Sequence, residues 1–312
     1  MVRKLKGKNL QGKGLKGALA RHQVSDNLQK KLQKNAEITK ENQLNKAKSI
    51  KKVPKKHNQP QQVKGLMPFT VDDRVLLIGE GDFSFAKSLI VQNFIQPQNL
   101  IATSYDSVEE LNQKYPNVQS TLDELTEEGV KLIHEVDTTN LPQCLKLIAN
   151  SKTKKSGKTP SLFDDRSQLN YIMFNFPHTG KGIKDVDRNI REHQKLILEY
   201  FKNCKQVFDI VNDTSKNDFA GYSVPTEGKI ILSTFEGEPY NSWGIKIIGK
   251  SQDYKVERSG KFDWAMFPEY HHRRTNSTRD TTKPAEERNA RIYVFEKFKK
   301  KQEQTKDDSD SD

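Results

Sequence analysis

Between residues 70 and 300, short apolar runs alternate with polar stretches that carry apolar residues at helical spacing, a pattern that predicts alternating strands and helices. Val75-Leu76-Leu77-Ile78 is the first run, four β-compatible residues suited to a strand covered on both faces. Leu100–Tyr105, Val130–Val136, Leu169–Phe174 and Lys229–Thr234 repeat it. Helices are expected over Phe83–Asn93, Val108–Tyr115, Thr121–Glu128, Leu141–Ala149 and Trp243–Lys250. A longer one is expected over Val186–Val211, where Ile190, Leu196, Ile197, Tyr200 and Phe201 fall near helical spacing. An antiparallel pair near Lys255–Phe262 and Arg291–Phe298 brings the sheet to seven strands, mostly parallel, with helices on both faces.

The first strand runs into Gly79-Glu80-Gly81-Asp82-Phe83-Ser84, a tight turn that opens a helix. Gly79 and Gly81 allow positive φ and close backbone approach, so a ligand can rest against the main chain where the helix begins. This is the nucleotide-cofactor position of an open, Rossmann-like α/β sheet. A dinucleotide fingerprint would place a third glycine at 84, and Ser84 stands there instead. That departure favours a cofactor without a pyrophosphate, S-adenosylmethionine, over a nicotinamide dinucleotide. Asp106 ends the second strand, 27 residues after Gly79, near the roughly 20-residue offset of a ribose-binding acid. Asp137 ends the third and is placed for an adenine amino group. Either acid alone would also serve as a turn or N-cap residue; three strands in order, each with suitable chemistry at its end, argue for a common site.

Charge divides the chain. Residues 1–65 hold eighteen Lys and Arg against Asp26, Glu37 and Glu41, a net of +15, whereas the whole chain is +12. Without aromatic residues that arm has too little apolar surface to offset its ordering entropy, and it reads as disordered, with a short helical stretch near Leu28–Leu44. Such arms meet nucleic acid or carry a nuclear or nucleolar address. The domain proper is expected over 66–298, with a polar insertion at 151–168 and a disordered acidic tail from 299 to 312. Cys144 and Cys204 form no metal-ligand spacing, so no metal site is expected and a reducing compartment is. No run approaches the ~18 apolar residues of a membrane span. A soluble, intracellular monomer is the expectation.

The fourth strand ends in Asn175-Phe176-Pro177-His178. Amino-methyltransferases carry a similar Asn/Asp-Pro-Pro-aromatic turn, whose amide and carbonyl accept hydrogens from the target nitrogen. Phe176 offers a face to an extruded base, or packs in the core. His178 assists proton removal, or shapes the loop through a hydrogen bond. Pro177 stiffens the turn. Downstream, Phe267-Pro268-Glu269-Tyr270-His271-His272-Arg273-Arg274 combines aromatics with cations and reads as a phosphate contact or a solvated loop.

Taken together, Gly-Glu-Gly-Asp-Phe-Ser-Phe at 79–85, Thr-Ser-Tyr-Asp at 103–106, Asn-Phe-Pro-His at 175–178 and Tyr-His-His-Arg-Arg-Thr at 270–275 resemble the fungal 25S rRNA uracil-N3 methyltransferase family, in order, from about Arg74 to Phe298. The resemblance implies a class I methyltransferase domain that uses S-adenosylmethionine to methylate N3 of one uridine in large-subunit rRNA, working on pre-ribosomal particles in the nucleolus. It implies cofactor contacts from Gly79, Glu80, Gly81, Asp82, Phe83, Ser84, Asp106 and Asp137, and substrate contacts from Asn175, Phe176, Pro177 and His178. No cysteine stands in the 175–178 turn to attack a pyrimidine ring, which argues against carbon-5 chemistry. A polyamine-forming aminopropyltransferase shares the fold but has no use for a +15 arm, and a dehydrogenase lacks its glycine. The serious alternative is a non-catalytic ribosome-assembly factor that keeps the rRNA and has lost the cofactor.

Overall fold

The computed structural model of the chain describes residues 65–148, 161–163, 167–212, 227–273 and 288–298, with scattered positions between 26 and 37. Two units divide at residue 61. In the first, the described positions are helical, within reach of the expected Leu28–Leu44 stretch. The remainder of the basic arm, most of the 151–168 insertion and the acidic tail lie outside the described residues.

In the second unit, strands β1 (Val75–Ile78), β2 (Leu100–Thr103), β3 (Lys131–Ile133), β4 (Tyr171–Asn175), β5 (Lys229–Phe235), β6 (Tyr254–Lys261) and β7 (Ala290–Lys297) form one sheet in the order β3-β2-β1-β4-β5-β7-β6. The first five run parallel, with Val75 opposite Leu100 on one side and Tyr171 on the other. β7 inserts antiparallel between β5 and β6, with Leu232 facing Tyr293. Helices α1 (Ser84–Val91), α2 (Val108–Lys114), α3 (Val118–Glu128), α4 (Leu141–Cys144), α5 (Val186–Val211) and α6 (Ile245–Ser251) cover the faces. This is the expected seven-stranded class I plan.

Successive strand residues point to opposite faces, so β1 feeds two cores. Val75 and Leu77 pack with Phe85 and Leu89 of α1 and Leu122 of α3. Leu76 and Ile78 pack with Ile197, Tyr200 and Phe201 of α5. The Tyr200 hydroxyl lies 3.0 Å from the carbonyl oxygens of both Ile172 and Ile231, fixing α5 beneath β4 and β5. Asp185 caps α5 by accepting from the Arg188 N–H at 2.6 Å, which helps place the expected start of that helix.

Three expectations change. β3 is three residues long, because at the sheet edge its Lys131 is exposed and only one side is paired. The helix expected to reach Ala149 stops at Cys144, as Lys146 turns to a positive φ of 56°. The insertion is not polar throughout: Leu162 and Phe163 are buried in the α5-side core.

Candidate active site

Strand order reverses at β1, which has β2 on one side and β4 on the other, and ligands of open α/β sheets bind beyond the strand ends at that point. A cleft of about 660 Å³ opens there. Its walls come from the turn after β1, the ends of β2 and β4, the middle of α5, and the Tyr270–Arg273 segment.

In the β1 turn, Gly79 has φ +71°, and a Cβ there would stand 2.8 Å from the Phe174 ring. Glycine is needed at that position on both counts. Gly81 is not in the left-handed region; a Cβ on it would meet the Tyr115 hydroxyl at 3.3 Å and Arg273 at 3.6 Å. Its lack of a Cβ spares the turn crowding against Tyr115 and Arg273, and it needs no positive φ, which corrects the sequence argument. The Glu80 N–H donates to the Thr103 carbonyl at 2.7 Å, and its carboxylate accepts from the Ala86 N–H at 3.2 Å in the first turn of α1. Burial lifts the Glu80 carboxyl to about 8, with Asp82 nearby adding to the rise and the Ala86 bond opposing it. Asp82 divides its oxygens: one accepts from the Ser84 N–H at 3.1 Å, the other pairs with Arg273 Nε at 2.9 Å.

Phe83 and Ser84 stand below this turn and off the cleft lining. Phe83 is left-handed at φ 59° and fully buried, its ring 5.6 Å from that of His134. The Ser84 hydroxyl accepts from the His271 N–H at 2.9 Å. Asp106 and Asp137 do line the cleft. Asp106 pairs with Lys114 at 2.6 Å, one α2 length away. Asp137 accepts from both the N–H and the hydroxyl of Thr139 at 2.8 Å, so it caps a turn as well as facing the cleft.

At the end of β4, Asn175 Oδ1 accepts from the Ser233 hydroxyl at 2.7 Å. Its Nδ2 is buried and has no hydrogen-bond partner among the described residues. Phe176 adopts φ 48°, held by its N–H to the Ser233 carbonyl at 2.9 Å. Only 9% exposed, it sits among Phe235 at 4.5 Å, Phe262 at 5.1 Å and a stacked Trp264 at 5.4 Å. Most of its ring is committed to packing. Pro177 is buried and off the lining. His178 reaches the cleft from the loop; its Nδ1 accepts from the Gly180 N–H at 2.9 Å, and its ring meets that of His193 at 4.8 Å. His193 stacks on Trp243 at 4.5 Å, and burial pushes its imidazole down.

The Phe267–Arg273 run, expected to contact phosphate or to form a solvated loop, packs against the domain instead. Phe267 is core, 4.9 Å from Phe85. Tyr270 stacks on Trp264 at 5.7 Å, and its hydroxyl lies 3.1 Å from His272 Nδ1. His272 lines the cleft beside Phe176, ring to ring at 5.0 Å. Arg273, expected on phosphate or in solvent, instead binds Asp82. The aromatic spacing of the run was the signal that it packs against something; which partner it packs against is set by contacts nearly 190 residues apart.

A 16S rRNA methyltransferase, KamB, aligns over 74% of this chain and 90% of its own at TM-score 0.36 and 10% identity, too distant to add to the strand order itself. A mouse ferredoxin-fold anticodon-binding domain-containing protein 1 homologue is 26% identical over 71% of this chain, which spans 30% of that protein. The 25S rRNA (uridine(2634)-N(3))-methyltransferase of Saccharomyces cerevisiae is 43% identical over 100% of this chain and 99% of its own length. The family model described as rRNA (uridine-N3-)-methyltransferase BTM5-like matches residues 76–274, from β1 through the segment that closes the cleft. The chain is a member of that rRNA (uridine-N3) methyltransferase family.

Proposed function

We propose that this protein transfers a methyl group from S-adenosylmethionine to N3 of a uridine in large-subunit rRNA, at the position equivalent to the one named for its yeast relative. The observation that carries this reading is the buried, unpartnered Asn175 amide at the end of β4, on a cleft whose other wall is the Gly79 turn. An orphaned buried donor costs about 1–3 kcal/mol, a cost relieved by a ligand that presents an acceptor there.

The cleft suits the cofactor. Its volume of about 660 Å³ lies in the range of small-ligand sites. The left-handed Gly79 leaves the turn's backbone open to a ligand, and carboxylates wait at the ends of β2 and β3. Asp106 would take the ribose hydroxyls while Lys114 holds it in place, and Asp137 would face the adenine. Glu80 would meet the cationic end, becoming ionised as it does so. When bound, the cofactor supplies a methyl group already activated by its sulfonium. The protein therefore needs to align N3 and exclude water. Phe176, packed as it is, makes a rigid apolar floor with one edge to the cleft, and Asn175 fixes the base above it. His178, occupied by its own loop, holds the 178–180 turn in shape. The basic arm would contact rRNA phosphates and direct the chain to nucleolar pre-ribosomal particles.

The test is methylation by the full chain of an rRNA fragment that carries the target uridine, followed by nucleoside mass spectrometry. 3-Methyluridine is the expected product. Protein that binds both the fragment and the methyl donor yet yields none is an assembly factor instead.

A further inference from the structure

We propose that His272 and Asn175 together form a subsite for the imide edge of uracil, with His272 Nε2 accepting the N3 hydrogen and Asn175 Nδ2 donating to a neighbouring carbonyl. The inference rests on the uridine-N3 reading above and deepens it.

A uracil presents acceptor, donor, acceptor along O2, N3–H and O4. Its complement must offer an acceptor flanked by donors. Asn175 is oriented for the donor part. Its oxygen is taken by the Ser233 hydroxyl at 2.7 Å, and this leaves the buried Nδ2 to donate. His272 is oriented for the acceptor part. Its Nδ1 lies 3.1 Å from the Tyr270 hydroxyl, so Nε2 is the ring nitrogen left for a substrate. A tyrosine hydroxyl can accept as readily as donate. A bound N3–H therefore selects the tautomer with the proton on Nδ1, and the Tyr270 bond survives. The two residues sit on one patch, since the His272 ring meets those of Phe176 at 5.0 Å and Phe235 at 5.3 Å, and Phe176 follows Asn175 in the chain.

The imidazole is kept neutral, as an acceptor must be. Burial first, then the cation of Arg288, push it down to about 4; Asp82 pulls upward against them, and His178 adds a lesser downward push. His178 is the less suitable acceptor, because its Nδ1 already accepts from Gly180. The step balances. N3 gains the methyl carbon and gives its proton to Nε2, while the N3–H bonding pair stays on the ring. The donor's carbon–sulfur pair leaves with sulfur, and the single positive charge ends on the imidazolium, which then returns its proton to water.

The test uses the full chain with S-adenosylhomocysteine and an rRNA fragment, so that its first readouts do not depend on turnover. With ¹⁵N-labelled uridine and histidine, a coupling across the hydrogen bond is expected between uridine N3 and His272 Nε2; a bound imino proton coupled to another group overturns the assignment. In titrations, the fragment with uridine should bind about tenfold tighter than the same fragment with cytidine, whose amino group would oppose the Asn175 donor. Asn175→Asp, which keeps the Ser233 bond and replaces the donor by an acceptor, should shift that preference toward cytidine. His272→Phe, which preserves the ring packing, should weaken uridine binding, and His272→Gln should restore part of it. An unchanged preference in Asn175→Asp, or unchanged uridine affinity in His272→Phe, refutes the subsite. Wild-type protein that makes 3-methyluridine but shows no coupling sinks the subsite alone; wild-type protein that makes none sinks the uridine-N3 reading.

Discussion

Replacing Glu80 by glutamine tests the electrostatics of the β1 turn. The carboxyl is raised from 4.5 to about 8, chiefly by burial. The folded protein therefore keeps a proton that the unfolded chain releases between those two values. Stability from this group is fully present below pH 4.5 and declines as pH climbs through about 8. At about 1.4 kcal/mol per unit the ceiling is about 5 kcal/mol, and water reaching an open cleft brings it nearer 2–3 kcal/mol. Glutamine keeps an acceptor for the Ala86 N–H and removes the titration. Urea unfolding of the full chain from pH 5 to pH 9 should show the wild type losing stability relative to Glu80→Gln as pH rises. A cationic ligand reverses the preference: S-adenosylmethionine should release a proton on binding below pH 8, and its affinity should climb with pH by up to about tenfold per unit. In Glu80→Gln that climb should flatten. Parallel stability curves for the two proteins, together with an equal pH dependence of binding, would refute the reasoning.

Gly79→Ala should cost about 1–2 kcal/mol from its left-handed backbone alone, more because its Cβ meets the Phe174 ring at 2.8 Å, and thermal melting reads the loss directly. Asp106→Ala should weaken cofactor binding by about 1.5–3 kcal/mol in calorimetry and leave Lys114 without its 2.6 Å partner. Arg188, Arg191 and Lys195 fall three and four residues apart on α5, exposed and without ion-pair partners among the described residues, with Lys195 on the cleft. Reversing Arg188 and Arg191 to Glu should weaken rRNA binding and flatten its log–log salt slope by at least about 0.7 per lost phosphate contact, with cofactor affinity unchanged. His178→Ala should lower turnover only modestly and leave the pH–rate profile unaltered in shape; loss of its acidic limb would make His178 the base.

The strands and α5 were legible because each element carries its own period. Val75–Ile78 is apolar on both faces, and α5 spans the stretch over which Ile190, Leu196, Ile197, Tyr200 and Phe201 keep helical spacing. The strand-end residues Asp106, Asp137, Asn175 and His178 were legible for a related reason: connectivity alone carries them to one edge of a parallel sheet. Charge and burial at the site were not. Nothing local reveals that Glu80 is desolvated, that Phe176 sits in a left-handed well among four rings, or that Arg273 crosses to Asp82. Those facts belong to contacts between distant segments. Likewise the short polar reading of 151–168 missed Leu162 and Phe163, because two apolar residues in a lysine-rich stretch have no period to display.

The strand order has a bearing on synthesis. β6 has one hydrogen-bonded neighbour, β7, and β5 needs that same strand to cover its outer edge, yet β7 leaves the ribosome last, after residue 290. Until then the nascent chain carries Ile230, Ile231 and Leu232 along an unpaired strand edge, the kind of edge that recruits other chains. A message cut short between 273 and 290 would yield a chain with every cleft residue named above already made and its sheet still unclosed, so that its fate would be set by self-association and not by loss of chemistry.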